Sequence, residues 1–185
     1  MDQVNHLLWQ ALEWTGLEYF TLRSESGGWL AAGQLVGLYE DRPYSIRYRV
    51  QLDSGWQVKE AAFWNGQEPQ PFLRLFSDTN GNWYDHEKKP LPRLSGCVDV
   101  DITLTPFTNS LPIHRLSFLP DQPRSIAVAY IQLPEGKVDR AEQIYTQRAA
   151  DLYRFEQPAL NFTADIRVDA NGFVTDYPDL FRRLY

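Results

Sequence analysis

Apolar and polar residues alternate along most of this chain in short runs, each closed by turn-forming residues. That is the pattern of an all-β domain built as a sandwich, barrel or roll. Residues 44–52 alternate most regularly: Tyr44, Ile46, Tyr48, Val50 and Leu52 take one side, and Ser45, Arg47, Arg49 and Gln51 the other. Residues 18–24 set Phe20 and Leu22 against Tyr19, Thr21 and Arg23. Residues 98–104 set Val98, Val100, Ile102 and Leu104 against Asp99, Asp101 and Thr103. Further strands are expected over 29–39, 56–64, 72–76, 83–86, 125–133, 142–147, 151–157, 162–169 and 173–177. Between them lie Ser26-Gly27-Gly28, Asp53-Ser54-Gly55, the Asn65-Gly66 pair expected to close a two-residue hairpin, and Asp169-Ala170-Asn171-Gly172. Gly33 and Gly37 fall inside one strand, where glycine marks curvature or the close approach of another segment. Residues 5–14 suit a helix as well as a strand.

One stretch breaks the alternation. Residues 105–119 carry a cluster of Thr105, Thr108, Asn109 and Ser110, then Pro112, then apolar residues at helical spacings up to Pro120. Proline is favoured in the first turn of a helix, so one short helix is expected over 111–119, led in by capping polar residues. No Pro/Gly/Ser linker, repeat or charge block divides the 185 residues, and a single domain over 1–185 is expected.

Composition refines this picture. Aromatic residues reach 14%, with six Trp, ten Tyr and ten Phe, which fits strands and hints at an aromatic-walled cavity. Net charge is −6, which argues against nucleic acid and anionic membrane surfaces as partners. Cys97 stands alone, so no internal disulfide framework is possible. The opening Met-Asp-Gln-Val-Asn-His is no basic leader, and no run approaches the ~20 apolar residues of a membrane helix. A cytoplasmic protein is the expectation.

Chemistry-bearing motifs are sparse. His6, His86 and His114 stand at no ligand spacing from one another or from Cys97, and no metal or other cofactor is expected. Asp85-His86-Glu87 reads as a solvated loop, and Asp169–Gly172 as a turn that lacks the later ligands of a calcium loop. No nucleophile elbow or phosphate-binding glycine loop is present. Asp99 and Asp101 share one strand face and are positioned for acid/base work, but the solvated side of an amphipathic strand is the preferred reading. Arg115, on the helix, needs a partner if the helix is interior, and Asp99 or Asp101 are the nearest candidates by pattern.

The segment 105–116, Thr-Pro-Phe-Thr-Asn-Ser-Leu-Pro-Ile-His-Arg-Leu, resembles the hallmark of the putative glycolipid-binding family. The acidic strand before it and residues 168–178, followed by Phe181-Arg182-Arg183, resemble other parts of that family. Gly33, Gly37, Tyr44, Tyr48 and Trp56 fit its N-terminal part. The resemblance implies a spiral β-roll, a long antiparallel sheet wrapped around a single short helix. It implies a binding role and brings no catalytic residues with it.

The leading expectation is a non-enzymatic protein that holds an amphiphile, a glycolipid or similar, in the mouth or interior of the roll. Arg47, Arg49, Thr108, Asn109, His114 and Arg115 are the candidates for its polar end; Trp56, Trp64, Tyr44 and Tyr48 are those for the apolar wall. Two alternatives stand beside it: an enzyme for a small amphiphile using Asp99, Asp101 or His114 as acid/base, and a protein-interaction module.

Overall fold

A computed structural model describes residues 4–185. Residues 1–3, part of the opening read for a leader, lie outside the described residues. The first half of the chain contributes β1 (Val4–Ala11), β2 (Thr15–Glu25), β3 (Gly28–Tyr39), β4 (Arg42–Asp53), β5 (Val58–Asn65), β6 (Leu73–Ser77), β7 (Trp83–Tyr84) and β8 (Asp99–Ile102). The helix α1 (Ser110–Arg115) follows, and then β9 (Pro123–Gln132), β10 (Lys137–Ala149), β11 (Leu152–Gln157), β12 (Phe162–Val168), β13 (Val174–Tyr177) and β14 (Phe181–Arg183).

These strands form one sheet in the order β7-β6-β5-β4-β3-β2-β1-β14-β13-β12-β11-β10-β9-β8. Every pairing is antiparallel except β8 with β9, which is parallel. The chain thus lays half of the sheet outward from β1, threads a helix back, and lays the other half until β14 closes on β1. The sheet curls into a roll, and β8, the last strand in the order, comes back against β5. The all-β spiral roll around one short helix is therefore what the chain forms.

Two packed clusters fill the roll: the larger joins β1–β5 to residues of β8, β9 and β10, and the smaller lies mainly under β9–β14. The first contains Trp9, Phe20, Tyr48, Phe63, Phe107 and Leu111, and the second Tyr145, Phe155, Ile166, Val174 and Phe181. Phe107 and Leu111 are fully buried, so the helical segment is the centre of the core. Burial of two such side chains contributes roughly 2–3 kcal/mol each.

Local expectations fared differently. In β4 the five predicted inward residues are all buried. Residues 5–11 are strand, in register with β2. Asn65-Gly66 does not close a two-residue hairpin: residues 66–72 form a longer loop, held by hydrogen bonds from Gly66 N to the Ser45 carbonyl and from Glu68 N to the Asn65 carbonyl. The helix begins earlier and ends sooner than expected. A 3-10 turn at Phe107–Asn109 leads into it, and Leu116 is already extended. Pro112 sits in the first turn, where its missing N–H costs nothing. The expected solvated face of residues 98–104 is also corrected. Asp99 is fully buried and Asp101 partly buried, because β8 is covered on both sides by the curled sheet and the helical segment.

Candidate functional site

Alternation of strand direction sorts the turns to two ends of the roll. The turns β1–β2, β3–β4, β11–β12 and β13–β14 form one end, beside the start of the helical segment. The turns β2–β3, β4–β5, β10–β11 and β12–β13 form the other, beside its C-terminus.

Between the two ends lies a polar layer. Glu18 shares the inward row of β2 with Phe20 and Leu22 and is 2% exposed. The Tyr48 hydroxyl donates to Glu18 Oε1 at 2.5 Å, while Glu18 Oε2 has no partner. Burial pushes the Glu18 carboxyl up to about 8, against the opposing Thr105 and Tyr48 hydroxyls. Tyr48 reaches Glu18 because Gly33 lies between them: a β-carbon at Gly33 would stand 2.1 Å from Tyr48 Cε1. Tyr44 repeats the device. Its hydroxyl sits 2.6 Å and 2.5 Å from the β-carbon positions of Gly37 and Gly16, and it accepts from Trp14 Nε1 at 3.0 Å. Gly33, Gly37 and Gly16 thus make room for two tyrosine rings laid across the sheet.

The hallmark segment is locked to β8. Arg115 holds Asp99 through two hydrogen bonds, Nε to Oδ1 at 3.1 Å and Nη2 to Oδ2 at 2.6 Å. Asp101 accepts from the Thr108 hydroxyl at 3.0 Å and from Gln143 Nε2 at 2.6 Å. Asn109 Nδ2 donates to the Tyr145 hydroxyl at 2.9 Å. Thr108 and Arg115 are therefore committed to internal partners, whereas Asn109 also borders a small cleft at the near end.

At the far end lies a cleft of ≈ 760 Å³. Its aromatic members are Trp29, Trp56, His114, Tyr153 and Phe173, its apolar floor is Leu22, Ile113 and Val168, and Asn5, Ser24 and Asn171 are polar groups on its border. Trp56 and His114 stack with ring centres 3.6 Å apart and planes 7° from parallel, and Trp29 lies 5.8 Å beyond Trp56. His114 Nε2 is buried without a partner, against Gly172. Burial holds its pKa at about 4, below the usual imidazole range, although the Asn171 backbone and Asp169 pull the other way. His114 is thus neutral at physiological pH.

Trp56 carries the most telling geometry here. Its φ is +65°, a left-handed conformation that costs a bulky side chain roughly 1–2 kcal/mol and that glycine adopts freely. Asp53 over-determines the turn: its Oδ1 accepts from Gly55 N and Gln57 N, and its carbonyl accepts from Trp56 N. A similar turn, Asp169–Phe173, forms the opposite wall. Asp169 Oδ1 accepts from Asn171 N and Phe173 N, and its other oxygen pairs with Arg183.

Arg47, Arg49 and Trp64 lie elsewhere, in a cleft of ≈ 550 Å³ on the outer face. Both guanidiniums stand 5.7 Å from the Trp64 ring, and Arg47 also donates to the Gly66 and Glu68 carbonyls. The ten candidates are therefore not one constellation. Trp56 and His114 meet at the far end, Arg47, Arg49 and Trp64 meet outside, and Tyr44, Tyr48, Thr108, Asn109 and Arg115 are internal. The acid/base candidates do not converge either: Asp99 is neutralised by Arg115, Asp101 borders the near cleft and His114 the far one. Cys97 is buried, with its thiol pushed up to about 11 by burial. Among the described residues no His/Cys/Asp/Glu group has metal-site geometry, and no helix is long and apolar enough to cross a membrane.

Glu18, Trp29 and Asn171 were missed as functional candidates. Glu18 was signalled by its parity with Phe20 and Leu22, a carboxylate on an otherwise apolar row. Asn171 had no such signal, because only the fold brings its turn beside the helix.

Comparison with known proteins gives the following. A family model described as "Putative glycolipid-binding" matches residues 6–183. No curated protein matches the chain. Among solved structures, the crystal structure of a DUF1089-family protein from Pseudomonas aeruginosa is 36% identical. It superposes with a TM-score of 0.81 over 90% of this chain and 92% of that one.

Proposed function

The chain belongs to the putative glycolipid-binding family, and from that premise we propose that it binds the sugar head of an amphiphile in the far-end cleft. The observation that carries this reading is Trp56, kept in a left-handed conformation and stacked on His114 at a turn position that glycine would occupy without strain. Strain that neighbouring contacts hold in place concentrates at ligand sites.

The chemistry fits a glycosyl group. Sugar rings lay their C–H faces on aromatic surfaces, which Trp29 and Trp56 supply, and Asn5, Ser24 and Asn171 offer neutral donors and acceptors for hydroxyls. The volume is within the range of small-molecule sites. In this reading the lipid tail lies along the Leu22–Ile113–Val168 side of the cleft and out of its mouth. Two of the segments that resemble the family hallmark, the end of α1 and the Asp169–Phe173 turn, supply opposite walls of this cleft.

Octyl glucoside below its micellar concentration is a suitable probe. Saturable change of tryptophan fluorescence is expected for the natural sequence, and loss of at least tenfold in affinity for Trp56→Gly. Glycine relieves the backbone strain but removes an indole that packs against the core, so the variant's fold is checked by circular dichroism before its affinity is read. Unchanged affinity in folded Trp56→Gly removes the proposal.

A further inference from the structure

The near end of the roll holds a cleft of ≈ 200 Å³ that the reading above does not use. Asp101 borders it, and aromatic side chains surround it: Trp14, Tyr39, Tyr130, Phe155, Phe162 and Tyr177. Two features distinguish it from ordinary packing.

The first is a partly buried acid without a counterion. Asp99 and Asp101 are two residues apart on β8, yet only Asp99 has a cation, Arg115. Asp101 is held by neutral donors alone, the Thr108 hydroxyl and the Gln143 carboxamide, and pairs with no cationic side chain among the described residues. A carboxylate removed from water without a countercharge is costly. Burial accordingly raises the Asp101 pKa above its usual range.

The second is an unused hydroxyl. Tyr177 is 5% exposed and borders the cleft, and its hydroxyl oxygen, which is not one of the buried unpartnered atoms, stays accessible to a ligand there. Tyr130 beside it is pushed up to about 12, by burial first and then by the charges of Asp101 and Tyr39.

We infer that this cleft is a second binding site, for a small organic cation of the alkylammonium class, whose positive charge Asp101 neutralises while the aromatic rings enclose its methyl or methylene groups. Aromatic faces attract cations, and the attraction grows where water is excluded. A free Tyr177 hydroxyl serves a polar substituent on the same ligand. The cleft's size suits a head group and excludes a drug-sized molecule. Glu13 at the border adds negative charge for attraction of the cation.

Choline and its uncharged carbon isostere, 3,3-dimethylbutan-1-ol, provide the test, with methyl glucoside as a third probe. Saturation-transfer NMR titrations of the natural protein should give choline at least tenfold tighter binding than the isostere. Asp101→Asn should remove that preference and leave isostere binding unchanged. If Asp101→Asn fails to fold, as judged by circular dichroism, Trp14→Leu takes its place and should weaken choline at least fivefold. Equal binding of choline and the isostere, tighter binding of methyl glucoside than of choline, or no choline binding overturns the inference. So does unchanged choline affinity in whichever variant is folded.

Discussion

Glu18 is the residue whose environment departs furthest from its chemistry. Its carboxyl ionises near pH 8 in the folded protein and near 4.5 in an exposed chain. Between those values the unfolded state has released a proton that the native state keeps, so stability is complete below pH 4.5 and is lost as pH rises towards 8. The loss is roughly 3–5 kcal/mol over the whole window. His114 works in the opposite direction: its value falls from 6.5 to about 4, so its contribution is lost as pH falls from 6.5 to 4. Above pH 6.5 His114 no longer contributes to the pH dependence, while the raised carboxyls of Asp99 and Asp101 act in the same direction as Glu18. Urea midpoints of the natural protein should therefore drop between pH 6.5 and 8.5, and those of Glu18→Gln should drop less; parallel curves would contradict the assignment. Gly33 tests the same layer sterically. Gly33→Ala drives a β-carbon into the Tyr48 ring and should cost about 1–3 kcal/mol. Gly55→Ala, whose β-carbon meets only Asp53 Oδ1 at 3.3 Å, should change the midpoint little in the same urea titrations.

The strands were legible at the scale of elements because alternation reports on which face of a strand is apolar. Residues 44–52 are the clearest case: each inward residue of β4 was identified by parity alone. What parity does not report is what covers the other face. Asp99 and Asp101 alternate with four apolar residues and read as solvated, yet β8 is tucked beneath the curled sheet, and both acids point at protein. The helix was legible in kind but not in extent. Proline and the polar cluster marked its start, whereas its end is set by the length of the roll, since α1 reaches the far rim at His114 and the chain must then turn to begin β9. Arg115 joins these elements. Arg115→Met leaves Asp99 buried without its cation and should cost about 3–5 kcal/mol. The double variant Asp99→Asn/Arg115→Met should recover most of that in thermal or urea denaturation. Natural stability in the single variant would show that the pair contributes nothing.

For the molecule as a whole, one continuous sheet closes on a packed core and leaves chemistry at its two ends. The candidate site was legible in part. Trp56 and His114 were both singled out, but as members of a set of ten that the fold disperses. Residues 56, 114 and 171 come together only through a 14-stranded topology, which no local pattern encodes. The same topology separates Arg47, Arg49 and Trp64 from the far-end cleft, so binding inside the mouth and binding on the outer face leave different signatures. Nitrogen-15 NMR of the full chain, titrated with sub-micellar octyl glucoside, tests this most directly. Saturable shifts should appear at the Trp29 and Trp56 indoles and at the His114, Asn171 and Gly172 amides, with Arg47, Arg49 and Trp64 unmoved. Saturable shifts confined to Arg47, Arg49 and Trp64, or no saturable shifts, would contradict it.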